Sequence, residues 1–503
     1  MPIMRLPLRL AIAVRYLAGA MMVCVTGSVA VAQTLLPDAP EPQDNKISIA
    51  AEPDSGAVSS VAERGERSPK ADDPATLTMF PHPEGGTYWI SGQANVIFQG
   101  RLPFHSPYEG PNSFLGSAEY KTSLLGTLFT AVRPWKSIRY QNDLILNVES
   151  SGGRGLSQAL GLAGFTNLDV VRNPNLGSKP YLARYQIHQV IGLTNDAIAQ
   201  ASGPFALADL VPARRLEFRV GRMTLPDFFD VNSVGSDSHQ QFMNWTVDNN
   251  GAWDYAADTR GYTVGGMAEY DDRVWSIRFG IYAMPVVANG IDLDWAFSRA
   301  HGNNTEFELR RSFLRGRTGA SRILFFDNRA HMGNYREAVQ AFLDGEDATP
   351  DITKHANFGA LKYGVGYNGE QDVTDNLRVF ARFSWNDGAT ESFAYTEVEQ
   401  TVAAGGDYTG ARWHRPEDKA GLTVVTNAIK KDHQNYLANG GLGFILGDGK
   451  LSYGRETIVE GYYNWHAWRG LYYAVDVQHI NNPGYNNARG PAWVGSVRGH
   501  VDF

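Results

Sequence analysis

Eight charged side chains share one phase of segments in which polar and apolar residues alternate: Arg139, Asp143, Arg184, Glu217, Arg219, Arg378, Arg382 and Glu460. Their chemistry is hydrogen bonding of mixed sign. A guanidinium presents five donors in a planar fork, and a carboxylate presents acceptors alone. Bond-making chemistry has no comparable signal: the sequence contains no Gly-x-Ser-x-Gly elbow, His-Glu-x-x-His pair, phosphate loop or calcium loop. The 12 histidines are scattered without ligand spacing, and acidic pairs such as Asp271-Asp272 fall where turns are expected. A second polar group occupies residues 223–258, a long connection carrying Asp227, Asp230, Asn232, Asp237, His239, Asn244, Trp245, Asp248, Asn249, Asn250, Trp253 and Asp254.

Such groups converge only if the elements beneath them turn one face to a common space. In residues 88–99, Tyr88, Ile90, Gly92, Ala94, Val96 and Phe98 occupy one phase, opposite Ser91, Gln93, Asn95 and Gln99. A period of two marks a strand with two unlike faces. The alternation returns over 138–149, 215–220, 275–281 and 377–385, with Arg139, Asp143, Glu217, Arg219, Arg278, Arg378 and Arg382 on the polar side. Weaker cases are 120–132, 181–193, 261–270, 307–313 and 363–367. The last stretch, 493–503, alternates as well and ends in Phe503, in the manner of the closing strand of bacterial outer-membrane barrels.

Arg5, Arg9 and Arg15 precede an apolar run over 16–25, and Ala30-Val31-Ala32 is a small-x-small cleavage site, so residues 1–32 read as a secretory signal. Cys24, the sole cysteine, lies inside it, which leaves neither a disulfide framework nor thiolate metal sites. Residues 33–80 lack periodicity and are rich in Pro, Asp, Glu and Ser, the composition of a disordered periplasmic leader. Residues 81–503 are expected to form an outer-membrane β-barrel. The net charge of −8 makes nucleic acid an unsuitable partner, and no apolar run after the signal is long enough for a membrane helix.

Short links (133–137, 271–272, 316–319, 371–376, 467–470) alternate with long ones (150–179, 223–258, 284–304, 328–354, 415–450). That asymmetry is the one transmembrane barrels show between periplasmic turns and external loops. The expected fold is therefore all-β, a transmembrane antiparallel barrel of about 16 strands with inward-folded loops. In lipid a sheet satisfies its backbone only by closing on itself, so no single hydrophobic core is expected. Tyr88, Trp135, Tyr270, Trp275, Trp385, Tyr463, Trp465 and Trp468 fit girdles at the two membrane surfaces. Residues 194–213 depart from the scheme, being too long for a periplasmic turn, and suggest a helix or an extra hairpin.

Several stretches carry a family resemblance: Gly153-Arg154-Gly155-Leu156, Gly164-Phe165-Thr166-Asn167, Tyr181-Leu182-Ala183-Arg184-Tyr185, Phe228-Phe229-Asp230-Val231-Asn232 and Gln241-Phe242-Met243-Asn244-Trp245. Ala252-Trp253-Asp254-Tyr255, Glu460-Gly461-Tyr462-Tyr463, Asn482-Pro483-Gly484 and the terminal Arg498-Gly499-His500-Val501-Asp502-Phe503 agree with them. Over about 88–503 the chain resembles the carbohydrate-selective OprB family of outer-membrane porins. The resemblance implies a 16-stranded monomeric channel in outer-membrane lipid, narrowed by inward loops. It would admit mono- or oligosaccharides by passive diffusion, without cofactor, metal or energy source.

For a sugar, a constriction should offer donors and acceptors to hydroxyls and rings to flat C–H faces. The inward charges supply the first. The 223–258 loop adds Asp230, Asn232, Asn244 and Trp253; its alternative placement is on the rim, with Trp245 and Trp253 as its own small core. Residues 150–179, with Arg154 and Arg172, are a second candidate, in which Ala159-Leu160-Gly161-Leu162-Ala163 suggests a short helix. A general diffusion porin, a barrel for polysaccharide export or adhesion, and a barrel-embedded hydrolase are the other functions compatible with such a fold.

Overall fold

The computed structural model describes residues 77–170 and 176–503. The expected signal, 1–32, and nearly all of the expected leader, 33–80, lie outside the described residues, as does Arg172. The wall begins with β1 (Tyr88–Arg101), β2 (Glu119–Val132), β3 (Tyr140–Gly153) and β4 (Tyr181–Gly192). A small hairpin, β5 (Ala197–Ala199) and β6 (Leu210–Pro212), interrupts it before β7 (Arg215–Met223), β8 (Thr263–Asp271), β9 (Trp275–Tyr282) and β10 (His301–Leu309). Then follow β11 (Gly319–Gly333), β12 (Ala356–Asp372), β13 (Leu377–Asn386), β14 (Gln400–Gly410) and β15 (Arg415–Ala428). Last come β16 (Glu456–Trp468), β17 (Leu471–Asn481) and β18 (Ala492–Asp502). Sixteen of these strands form one closed antiparallel barrel, with β4 bonded to β7 and β18 to β1.

The two phases read from the sequence are the two faces of this wall. Ile90, Phe98, Leu146, Phe279, Phe383, Val475 and Val497 are exposed on the outside, while Gln99, Asp143, Glu217, Arg278, Arg382, Gln478 and Arg498 are buried within. Across the closing seam Phe98 stands opposite Val497 outside and Gln99 opposite Ser496 inside, where Gln99 Nε2 donates to Ser496 Oγ at 3.0 Å. Register is fixed because a slip of one residue would send charges outward and apolar groups inward. No helix of the described residues is long and apolar enough to cross a membrane.

Several expectations need correction. Residues 415–428, read as part of a long external loop, are strand β15, paired with β14 and β16 on both edges; ladder pairing overrides the turn-like Arg415-Pro416-Glu417-Asp418 start. Residues 301–304 likewise belong to β10, held between β9 and β11. The short helix expected near Ala159 is a single 3-10 turn over Leu156–Ala159, with Ser157, Gln158 and Ala159 at positive φ. The lumen also contains a large apolar core, built from Phe114, Phe229, Phe242, Trp245 and Trp253 of the loops packed against Leu324, Phe326, Phe380, Val425 and Tyr462 of the wall. Closure makes such a core unnecessary for the wall. It exists because the loops that fold inward carry apolar faces of their own to bury.

A second apolar cluster caps the external end. There α2 (Tyr335–Leu343) and α3 (Lys431–Ala438) pack through Tyr335, Ala338, Tyr436 and Leu437 against Ile445, Leu446 and Tyr485. Residues 194–213 resolve as the β5–β6 hairpin, whose tip enters the barrel from the other end.

Candidate functional site

The 224–262 loop lies inside the barrel, suspended from carboxylates of the wall. Glu306 accepts the N–H of Asp230 at 2.7 Å and Glu370 that of Ser233 at 2.7 Å. Glu460 accepts Met243 N–H at 2.6 Å and Asn244 N–H at 3.3 Å. Wall arginines take the loop's carbonyls: Arg278 donates to Phe228 O at 2.5 Å, Arg382 to Asp230 O at 3.0 Å, and Arg498 to Ser238 O at 2.7 Å. A loop buried inside the barrel needs partners for its backbone, and the inward charges of the strands supply them.

The loop after β3 is held in the same way. Glu456 accepts Ala163 N–H at 3.1 Å and Gly164 N–H at 2.7 Å, and Gln99 donates to Thr166 O at 3.0 Å. The two loops also join each other: Asn244 Nδ2 donates to Gly164 O at 2.9 Å, Trp245 Nε1 to Asn167 O at 2.9 Å, and His239 meets Asp169 at 3.0 Å.

Several residues expected to face a passage are therefore packed between loop and wall. Asp230 is fully buried, its carboxylate accepting from Asn250 N–H at 2.6 Å and Asn368 Nδ2 at 2.8 Å. Asn232 folds its own turn, accepting Val234 N–H at 2.9 Å. Asn244 caps the short helix α1 (Trp245–Asp248) by accepting Thr246 N–H at 3.1 Å. Trp253 is fully buried and donates to Asn304 at 2.8 Å. Arg382 and Glu460 hold the loop, and Arg378 is buried in a pair with Asp407 on the neighbouring strand. Arg139 is corrected outright: it keeps the polar phase but precedes β3, exposed in the turn, with its guanidinium over Tyr140.

The lumen is filled unevenly. Inward side chains of β9, β10, β11 and β13 are buried along the whole of each strand. On the opposite arc Gln93, Lys121, Leu125, Phe129 and Tyr181 keep part of their surface, as do Asp227 and Phe228 at the near edge of the loop. Here four of the expected residues come together.

Arg184 forks onto Asp227 through two bonds, Nε to Oδ2 at 2.7 Å and Nη2 to Oδ1 at 2.8 Å, with each side chain about 10% exposed. Tyr262 donates to Glu149 at 2.8 Å, and Tyr181 donates to the other oxygen of the same carboxylate. The Arg184 guanidinium lies 5.1 Å from the ring centres of both Tyr262 and Phe205, and that of Arg219 lies 4.5 Å from Phe228. Toward the periplasmic end His188 bridges Asp143 at 3.3 Å and Glu217 at 3.0 Å, and Asp143 also pairs with Arg133 at 2.8 Å.

Glu149 lies on the polar phase of 138–149, as the alternation has it, whereas Tyr181, Tyr262, Phe228 and Phe205 are partners the alternation did not single out. Arg184 and Tyr181 stand three residues apart, so a regular strand would turn them to opposite faces. A register shift opposite Asn147 and Val148 brings both inward, and no pattern in β4 announces it.

A sequence profile described as carbohydrate-selective porin, OprB family, matches residues 144–503. The high-pH structure of OprB from Pseudomonas putida superposes with a TM-score of 0.63 at 18% identity, covering 83% of this chain and 94% of that one. The low-pH structure of the same protein gives 0.44 at 13% identity, over 83% and 93%. The outer-membrane channel DcaP of Acinetobacter baumannii gives 0.45 at 8%, over 83% and 97%. The search of curated proteins returned no match.

Proposed function

We propose a route for sugars through this chain, which belongs to the OprB family of carbohydrate-selective porins. It is an outer-membrane channel through which carbohydrates diffuse, and its family and fold are those of channels rather than enzymes. In our reading the route follows β1 to β4 and β7, past the edge of the 224–262 loop, with its polar narrowing at Arg184 and Asp227. The supporting observation is that paired fork, whose two side chains keep about 10% exposure, set beside the rings of Tyr262 and Phe205. Because the fork is paired with a carboxylate, its charge is balanced, and the site does not act as a plain anion filter. Arg219, Glu217 and Asp143 continue the mixed charge below it. Arg378, Arg382, Asp230, Asn232, Asn244, Trp253 and Glu460 act by fixing the loop that forms the other wall.

The exposed apolar outer face, with Trp135, Trp465 and Trp468 near strand ends, would meet lipid. We read the pore as complete within one chain, preceded by a cleaved signal over 1–32 and a periplasmic leader over 33–80. Liposome swelling across mono- and disaccharides, set against ionic conductance, tests the route. Selective passage should track Arg184 substitutions. Rates that fall with solute size alone, whatever stands at 184, would make this a general diffusion porin.

A further inference from the structure

The link between β4 and β7 does not turn at the rim as the 272–274, 373–376 and 469–470 links do. After β5 the chain enters the lumen from the periplasmic end and returns through β6. Leu207 is 1% exposed and packs with Trp89, Ala131 and Ile145, inward residues near the periplasmic ends of β1 to β3. Its N–H donates to Asp143 at 3.2 Å, and the carbonyl of Phe205 accepts from Arg219 at 2.9 Å. The tongue is also clipped to the chain just before β1, where Gly85 N–H donates to Ser202 Oγ at 2.9 Å and Ser202 N–H to Glu84 at 3.1 Å.

The tip carries a ring that none of these bonds uses. Phe205 stands edge-on to Phe129 of the wall at 6.1 Å and to Phe228 of the external loop at 6.3 Å, with Arg184 5.1 Å from its centre. An element from the periplasmic end and one from the outer end thus meet in the arc of the lumen that keeps open surface. The Phe205 ring thus lies against the guanidinium of the Arg184–Asp227 fork.

Resting on the route proposed above, we infer that residues 200–209 form an exit tongue and that Phe205 sets the largest sugar the channel passes. The backbone holds the tongue in place through Asp143, Arg219 and the 84–85 segment; the ring alone sets the bore. Width at the narrowest point is what discriminates among neutral solutes of one chemistry.

The test compares wild type, Phe205→Ala and Phe205→Trp, each as the full chain in liposomes, by swelling in glucose and in a disaccharide such as maltose. Phe205→Ala should raise the disaccharide-to-monosaccharide ratio about threefold or more, and Phe205→Trp should lower it, because bore and ring size oppose each other. A merely structural ring would not give opposite changes from two substitutions. Ratios that stay at the wild-type value in both variants, while glucose still passes and responds to Arg184 substitution, would overturn the tongue alone. Absence of sugar flux through wild type would overturn the route and the tongue with it.

Discussion

Arg184 on β4 and Asp227 on the loop after β7 are joined by two parallel bonds of 2.7 and 2.8 Å, so the loop's inner edge is locked to the wall in the plane of one guanidinium. Lysine keeps the charge but cannot make the fork. Arg184→Lys should therefore lower sugar flux more than potassium chloride conductance, and Asp227→Asn should do the same. Swelling rates and single-channel currents on the same preparations decide the matter; proportional losses in both would mean that Arg184 makes no specific sugar contact.

Glu460 has a different duty. It accepts two loop N–H groups, and its removal leaves Met243 and Asn244 with buried donors lacking their acceptor. Each orphaned donor costs about 1–3 kcal/mol. Glu460→Ala should loosen the loop without unfolding the barrel, raising conductance and exposing residues near 236–250 to protease. Mass analysis of limited digests checks this, and a loop as resistant as wild type would show that the carboxylate is not its anchor.

Trp253 was a natural candidate for a sugar platform, yet it is fully buried against Phe229 at 6.4 Å and Tyr255 at 5.0 Å. Truncating such a ring to Ala costs about 3–5 kcal/mol through lost burial and the cavity left behind. We expect Trp253→Ala to lower the thermal stability of the lumen assembly and Trp253→Phe to lower it much less. In the fraction that stays folded, the disaccharide-to-monosaccharide ratio should remain close to wild type. A changed ratio with unchanged melting would return Trp253 to the route.

The contrast between Trp253 and Arg184 shows what the sequence could and could not reveal. Period-two alternation placed Glu217, Arg219, Arg378, Arg382 and Glu460 on the inner face correctly, because sidedness is a local property of a strand. Whether an inward charge then meets solute or a folded loop depends on where that loop lies, and loops carry no period. Asp227 and Asp230 are three residues apart in one such loop, one part-exposed on Arg184 and the other fully buried beneath Arg382. Arg139 failed for another reason: phase continues past the end of a strand, but the wall does not. Residues 194–213 are legible in the sequence only as a link of unusual length, since the three-residue strands Ala197–Ala199 and Leu210–Pro212 are too short to alternate.

The clasp between the two inward loops should respond to pH. His239 meets Asp169 at 3.0 Å, with its ring stacked on His500 at 5.6 Å. Burial by itself would lower the affinity of the imidazole for its proton, but the Asp169 carboxylate outweighs burial, aided by Asp237 and opposed by Arg498, and holds His239 at about 9. Burial pushes Asp169 up in turn, and the charge and bond of His239, with Asn95, bring it below its ordinary value of 3.8. A histidine raised above its ordinary 6.5 stabilises the docked loops fully below that pH and ceases to do so as pH rises through about 9. The lowered Asp169 works in the other direction, contributing above 3.8 and losing its contribution only in acid. Asp248, pushed up to about 7 by burial, titrates earlier than His239, below the interval from about 8 to 10. Across that interval the wild-type loops should become more susceptible to protease and the open channel noisier, while His239→Gln should already be loosened at pH 8 and change little further. If wild type and His239→Gln responded alike between pH 8 and 10, the clasp would not be what titrates.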